Sequence, residues 1–336
     1  MTMAADSLEL NIVLFDLDGD KQTSEGVTAS GGLQDSGEDG VGKRTGAAES
    51  RRESMKYILD KVLEKRLPNV FFLCQDDIGK KKHEILMEKL GNGAAMLTDP
   101  TFAKPAEAGV YYSSNQNQDV DHKVDFISHE SLEKVQLTMR LTRDDPFLYL
   151  KGLSRLMACV LTPKGTAAGK ERILLVSWHG PHKTKNPDAT LQLDSKEAKR
   201  ICFLELVHFL DRLKQDRSCD VVIVGGGFNW PAEEAREEMG RIGRVNGIVT
   251  ADYTTTTDRQ DLGESGMIDY IVYWPKDSIH KIEANVECGE YRRERPRPFN
   301  HPIVRYQVKL RDLTTAMAKV SLTDQPQRED APPSAE

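Results

Sequence analysis

Short apolar runs of strand length recur along the chain, and several of them stop abruptly at polar residues. Residues 10–17 are mostly apolar and long enough for one buried strand. Residues 70–74 end at Gln75-Asp76-Asp77, and residues 173–176 end at Ser177-Trp178-His179-Gly180. Residues 221–224 run into Gly225-Gly226-Gly227-Phe228-Asn229-Trp230, where the glycines read as a tight turn. Further strands are predicted at 109–112, 156–161, 267–273 and 303–310. Stretches of helical period lie between them. Ser50 and Glu53 have capping-box spacing, and Met55, Ile58, Leu59, Val62 and Leu63 follow on one face. Asp194 and Glu197 open a second helix whose apolar face carries Ile201, Leu204, Leu206, Val207, Leu210 and Leu213. His208, on that apolar-rich helix, reads as structural.

Strand–helix alternation without internal repeat predicts one α/β domain over residues 8–312. Residues 19–50 are rich in Gly, Ser and acidic side chains and nearly lack large apolar ones. Such a segment cannot offset its ordering entropy, so a disordered insertion is predicted there. Residues 321–336, with Pro326, Pro332 and Pro333, read as a disordered tail.

A chain of 336 residues with 38% hydrophobic content can bury a sizeable core. Its net charge of −7 supplies no global attraction to nucleic acid or anionic membrane. Polyanion contact would need a local patch, and two basic clusters offer one: Lys80, Lys81 and Lys82, and Arg292, Arg293, Arg295 and Arg297. Five scattered cysteines with no CxxC pair point to neither zinc nor a disulfide framework. Cys74 and Cys202 lie in apolar runs and read as buried thiols. The first nine residues lack a signal-peptide pattern and no apolar run reaches membrane-spanning length. The expectation is a non-secreted protein of cytosol or nucleus with no membrane partner.

Polar residues at strand ends suit ligand chemistry, because loops held by a rigid sheet commonly form the binding crevice of α/β folds. A phosphodiesterase needs carboxylates for a divalent metal and histidine or lysine for the phosphoryl charge. It also needs a base or oriented amide for the attacking water.

Four segments, in order, resemble the motifs of the endonuclease/exonuclease/phosphatase superfamily, the deoxyribonuclease I-like fold. Leu73-Cys74-Gln75-Asp76 resembles its strand ending in "LQE", and Val176-Ser177-Trp178-His179 its strand bearing a first catalytic histidine. Gly226-Gly227-Phe228-Asn229 resembles "GDFN", and Asn300-His301-Pro302 a shortened "SDHxP". Met267-Ile268-Asp269-Tyr270 fits the aspartate strand between the last two. The resemblance implies a four-layer α/β/β/α sandwich and magnesium-dependent hydrolysis of a phosphate ester, with nucleic acid among the candidate ligands. It implies that His179 and His301 contact the scissile phosphate, one of them as general acid. Asn229 would orient a phosphate oxygen or water, and Asp269 would fix a histidine tautomer. Asp16 and Asp76 would hold Mg2+, while Lys80, Arg292 and Arg293 would line the cleft rim.

The departures bear on activity. Asp16 stands where the family has asparagine, and Asp76 shortens its metal-binding glutamate. Gly227 replaces the aspartate of "GDFN", Asn300 that of "SDH", and Pro302 follows His301 without a spacer. Losing carboxylates from such a site costs orders of magnitude in rate. The expectation is therefore an impaired hydrolase, a pseudoenzyme, or a non-catalytic interaction module on the same fold. Residues 13–19 (VLFDLDG) also resemble the first motif of haloacid-dehalogenase-type phosphatases, which would make Asp16 a nucleophile. That reading lacks a later acidic metal motif. Each named group has a bland reading as well: His179 as a core histidine, Asp76 as a turn residue, the basic clusters as solvated loops, and Trp178, Trp230 and Trp274 as packing.

Overall fold

The apolar runs pair into two sheets in a computed structural model. It describes residues 9–16, 60, 70–74, 88, 94–97, 108–113, 122–142, 150, 153–164, 171–181, 195–242, 248–249, 268–286 and 303–310. The first sheet contains β1 (Glu9–Asp16), β2 (Val70–Cys74), β3 (Ala94–Leu97), β4 (Ala108–Ser113), β11 (Ile279–Val286) and β12 (Val304–Leu310), ordered β11-β12-β1-β2-β4-β3. The second contains β5 (His122–Ile127), β6 (Leu156–Pro163), β7 (Ile173–His179), β8 (Val221–Gly227), β9 (Ile248–Val249) and β10 (Asp269–Trp274), ordered β5-β6-β7-β8-β10-β9. Each sheet has one parallel pair at its centre, β1·β2 and β7·β8, with antiparallel pairs on both sides. Two mixed sheets form, as the resemblance implied.

The sheets stack face to face, β1 against β8 and β10, β2 against β7 and β8, and β4 against β6 and β7. Leu10, Ile12, Leu14, Val70, Phe72, Val110 and Tyr112 join Leu174, Val176, Val222 and Val224 in one buried core. Because strand side chains alternate, Val13, Phe71, Leu73 and Tyr111 occupy the opposite face of the first sheet, and they are buried too. The glycine run is not a turn, as the sequence suggested, but the last three residues of β8. A Cβ at Gly225 would lie 2.4 Å from Phe72 Cδ2 and 2.8 Å from Leu14 Cδ2. Its absence lets the sheets close at that level.

Flanking the sheets are α1 (His129–Thr142), α2 (Ser195–Asp216) and α3 (Ala232–Ile242). Ser128 caps α1, its Oγ accepting from Ser131 N at 3.3 Å, and Leu132, Val135, Gln136 and Met139 form the buried stripe. The core side of α2 is Ala198, Cys202, Phe203, Leu206, Val207, Phe209, Leu210 and Leu213. Ile201 and Leu204 sit at its margin, and His208 is exposed. Arg200 of α2 reaches Glu238 of α3 at 3.1 Å, tying the two helices together. No helix of the described residues is long and apolar enough to cross a membrane. The predicted insertion at 19–50, the tail at 321–336 and, apart from helical Asp60, the helix expected after Ser50 lie outside the described residues.

The C-terminus of α2 closes with a left-handed residue that is not glycine. Ser218 has φ 49°, Ser218 N donates to Gln215 O at 3.1 Å, and Cys219 N donates to Lys214 O at 2.9 Å. This is the Schellman bonding pattern with a Cβ at the position glycine usually fills. Ser218→Gly should therefore raise stability by about 1 kcal/mol, read from urea unfolding. A loss of stability would show that the backbone there is not left-handed.

Burial also sets a pH dependence. It pushes the Cys202 thiol up to about 12 and raises that of Cys159 further still. Both folded thiols stay protonated where the unfolded ones ionise, so their stabilisation is complete below about pH 9 and is lost as pH rises above it. Stability should fall by about 1.4 kcal/mol per pH unit for each thiol above pH 9. Cys159→Ala should shallow that slope in a urea series; an unchanged slope would contradict the burial.

Candidate functional site

The parallel pair of the second sheet ends with Ser177 opposite Gly225, Trp178 opposite Gly226, and His179 opposite Gly227. On the other side of β8, Asp269 opens β10 directly opposite Gly227. His179, Gly227 and Asp269 therefore stand at one level on three adjacent strands. With neighbouring strands about 4.8 Å apart, the flanking backbones of His179 and Asp269 are roughly 10 Å apart. The sequence brought these residues together as motifs. The register shows that the residue between them has no side chain.

Asn229 lies just beyond, in a turn at φ 54°, a conformation asparagine tolerates better than most residues. Its Nδ2 donates to Gly180 O at 2.7 Å, while Gly180 N donates to Gly227 O at 2.6 Å and Phe228 N to Ile268 O at 2.8 Å. The ends of β7, β8 and β10 are thus tied together. Arg155, from the 3-10 turn Leu153–Arg155 before β6, donates to His179 O at 3.2 Å and Gly180 O at 3.1 Å. Nothing in the sequence singled out this arginine, because a lone cation before an apolar run has no pattern. Phe228 stacks on Tyr270 at 4.2 Å, and Phe203 meets Trp230 at 4.9 Å, so aromatic packing supports the turn from below. Burial, then the neighbouring Asp269, raises the Tyr270 phenol well above its ordinary value and keeps it neutral. All three tryptophans are buried, which makes them packing groups.

The first sheet ends at the same edge. Asp16 pairs with Cys74 as the last register pair of β1 and β2. Cys74 donates through Sγ to Trp178 O at 3.1 Å and accepts from Gly227 N at 3.2 Å, while Ser177 Oγ donates to Leu73 O at 3.0 Å. β12 begins at Val304 opposite Leu14, close to this edge as well. The structure therefore gathers the backbone of Asp16 with His179, Gly227, Asn229 and Asp269. His179, Asn229 and Asp269 are 0%, 6% and 3% exposed. The Asp16 side chain, Asp76, Lys80, Arg292, Arg293, Asn300 and His301 lie outside the described residues.

Whether this set fits magnesium is a matter of donors. Mg2+ asks for about six oxygen ligands, several of them water. Among the described residues no group of three His, Cys, Asp or Glu side chains could hold a metal. The Asp269 carboxylate and the Asn229 amide do not suffice, so no chemical step is assigned to a metal.

No family model matches the chain, and no curated protein matches it in sequence. Solved structures do match its fold. An endonuclease/exonuclease/phosphatase family protein from Bacteroides thetaiotaomicron aligns over 91% of this chain and 99% of its own, with TM-score 0.51 and 14% identity. The human Nocturnin catalytic domain with bound sulfate aligns over 90% of this chain and 94% of its own, at TM-score 0.48 and 13% identity. D. rerio TDP2 complexed with single strand DNA product aligns over 90% and 99%, at TM-score 0.45 and 12% identity. The chain carries the α/β sandwich fold of the endonuclease/exonuclease/phosphatase proteins. At 14% identity the likeness to the Bacteroides thetaiotaomicron protein establishes the fold and leaves the chemistry to the site.

One substitution probes how tightly the edge is closed. Gly226 has φ 144°, and a Cβ there would lie 2.0 Å from Trp178 O and 2.7 Å from Cys74 Sγ. Gly226→Ala should cost about 3 kcal/mol in urea unfolding, from backbone strain and overlap together. A cost below about 1 kcal/mol would mean that the two strand ends do not approach this closely.

Proposed function

We propose that this chain is a divergent phosphoester-hydrolase-like protein, a single domain over residues 8–312. It binds a phosphate ester at the shared strand ends and hydrolyses it with impaired efficiency. The observation that carries this reading is Gly227, placed between His179 and Asp269 where a carboxylate would orient the attacking water. In this reading His179 and His301 contact the phosphate, one donating a proton to the leaving oxygen. Asn229 orients a phosphate oxygen or the water, and Asp269 holds a histidine in one tautomer. Asp16 and Asp76 would be the carboxylates offered to Mg2+. Lys80, Arg292 and Arg293 would attract the polyanion, nucleic acid being one such ligand, against the acidic background.

Without a side chain at residue 227, nothing at that position accepts the water's proton or fixes its direction. General-base assistance is worth about 10²–10⁴ in rate. Gly227 is the last residue of β8, paired with His179 on one side and Asp269 on the other. The test is hydrolysis of bis-p-nitrophenyl phosphate with added Mg2+ by the wild type and by Gly227→Asp combined with Asn300→Asp. The paired substitution should raise the rate by about 100-fold or more, and adding His179→Ala should abolish the gain. Fast turnover by the wild type would overturn the claim of impairment. No turnover by the restored protein, with no phosphate binding by the wild type, would overturn the site.

The complete burial of His179 supports a second reading, a binding module that no longer performs chemistry. It expects the wild type to bind phosphate yet show no metal-stimulated turnover at all. A covalent phosphate on Asp16, visible by mass spectrometry, would instead favour the dehalogenase-type mechanism.

A further inference from the structure

The site has two halves on different sheets, and apolar side chains packed between sheets resist separation better than they resist sliding. Directional bonds are needed to set the offset of one half against the other. Cys74 supplies two of them. It is 1% exposed, it is the register partner of Asp16, and its thiol spends its donor on Trp178 O and its acceptor capacity on Gly227 N–H. Those two partners adjoin His179 and are Gly227 itself. Gly226 completes the arrangement, since any Cβ at that position would intrude on both Sγ and Trp178 O.

Resting on the phosphate-site reading above, we propose that Cys74 is a positioning residue. Its thiol bridges the two sheets and sets the spacing between the Asp16 side of the cleft and the His179–Gly227–Asp269 side. Ligand contacts hold only when such groups stay within about 0.5 Å of their working geometry. A thiol suits this place because one atom donates to β7 and accepts from β8. Alanine removes both bonds. Serine can keep both, at the shorter reach of a C–O bond.

The experiment compares Cys74→Ala, Cys74→Ser and Cys159→Ala in the full chain, at a temperature where all three are folded. Cys159 is the control: an equally buried thiol on β6, opposite Leu175 and away from the strand ends. Dissociation constants for inorganic phosphate are measured by calorimetry, and exchange of the Gly227 amide proton by NMR. Cys74→Ala should weaken phosphate binding about tenfold or more and speed exchange at Gly227. Cys74→Ser should recover most of the affinity, and Cys159→Ala should stay within about twofold of wild type even if its melting temperature falls as far. Equal affinities for Cys74→Ala and Cys159→Ala would overturn the positioning role while leaving the phosphate site intact. A wild type that binds no phosphate would overturn the site itself and this role with it. Should the alanine variant not fold, Cys74→Val, close to the thiol in size and unable to form either bond, decides: weaker phosphate binding with faster Gly227 exchange supports the bridge, while wild-type values of both overturn it.

Discussion

The closure of one sheet on the other at the ends of their parallel strands is the constraint on which the rest of the structure depends. It is made possible by what is missing: no side chain at Gly225 and Gly226, where a Cβ would strike Phe72, Leu14, Trp178 O or Cys74 Sγ. Backbone and sulfur can then approach closely enough to bond. Ser177 to Leu73 and Cys74 to Trp178 and Gly227 turn that approach into a defined offset. Each such bond contributes only about 1 kcal/mol, far less than the apolar burial between the sheets. The division of labour follows: burial supplies stability, and the bonds supply geometry.

That geometry explains why the candidate chemistry sits where it does. Parallel strands end together, so the polar residues that follow two such pairs collect on one edge. The half of the candidate site on the second sheet is held by backbone and side-chain bonds: Asn229 to Gly180, Gly180 to Gly227, Phe228 to Ile268 and Arg155 to His179. Gly227, paired with both His179 and Asp269, has no side chain. On the proposed reading, the fold keeps ligand recognition while turnover is slowed.

Much of the fold was legible because buried strands announce themselves by continuous apolar runs. β2 was read with its observed limits, and β8 was placed from Val221. The reading stopped where apolar residues stopped, and this truncated β7 and β8. Ser177, Trp178 and His179 stay in the strand because their backbones remain paired, a long-range fact with no local signature. β5 and β11 were missed because edge strands mix charged and apolar residues, as in His122–Ile127 with Lys123 and Asp125 exposed or half-exposed. α3 was missed because Ala232, Ala235 and Met239 make a thin apolar stripe in an acidic segment. His179, Asn229 and Asp269 were singled out through motif likeness. That Gly227 lies level with His179 and Asp269 needed the register.

A titration of isotopically labelled protein with inorganic phosphate, followed by amide NMR shifts, tests most directly whether these strand ends form a ligand site. The account expects the amides of His179, Gly180, Gly227, Asn229 and Asp269 to move first and saturate together. Those at the opposite end of the same strands, Ile173, Val221 and Trp274, should stay still. Shifts centred on that opposite end, or no shifts at millimolar phosphate, would contradict it.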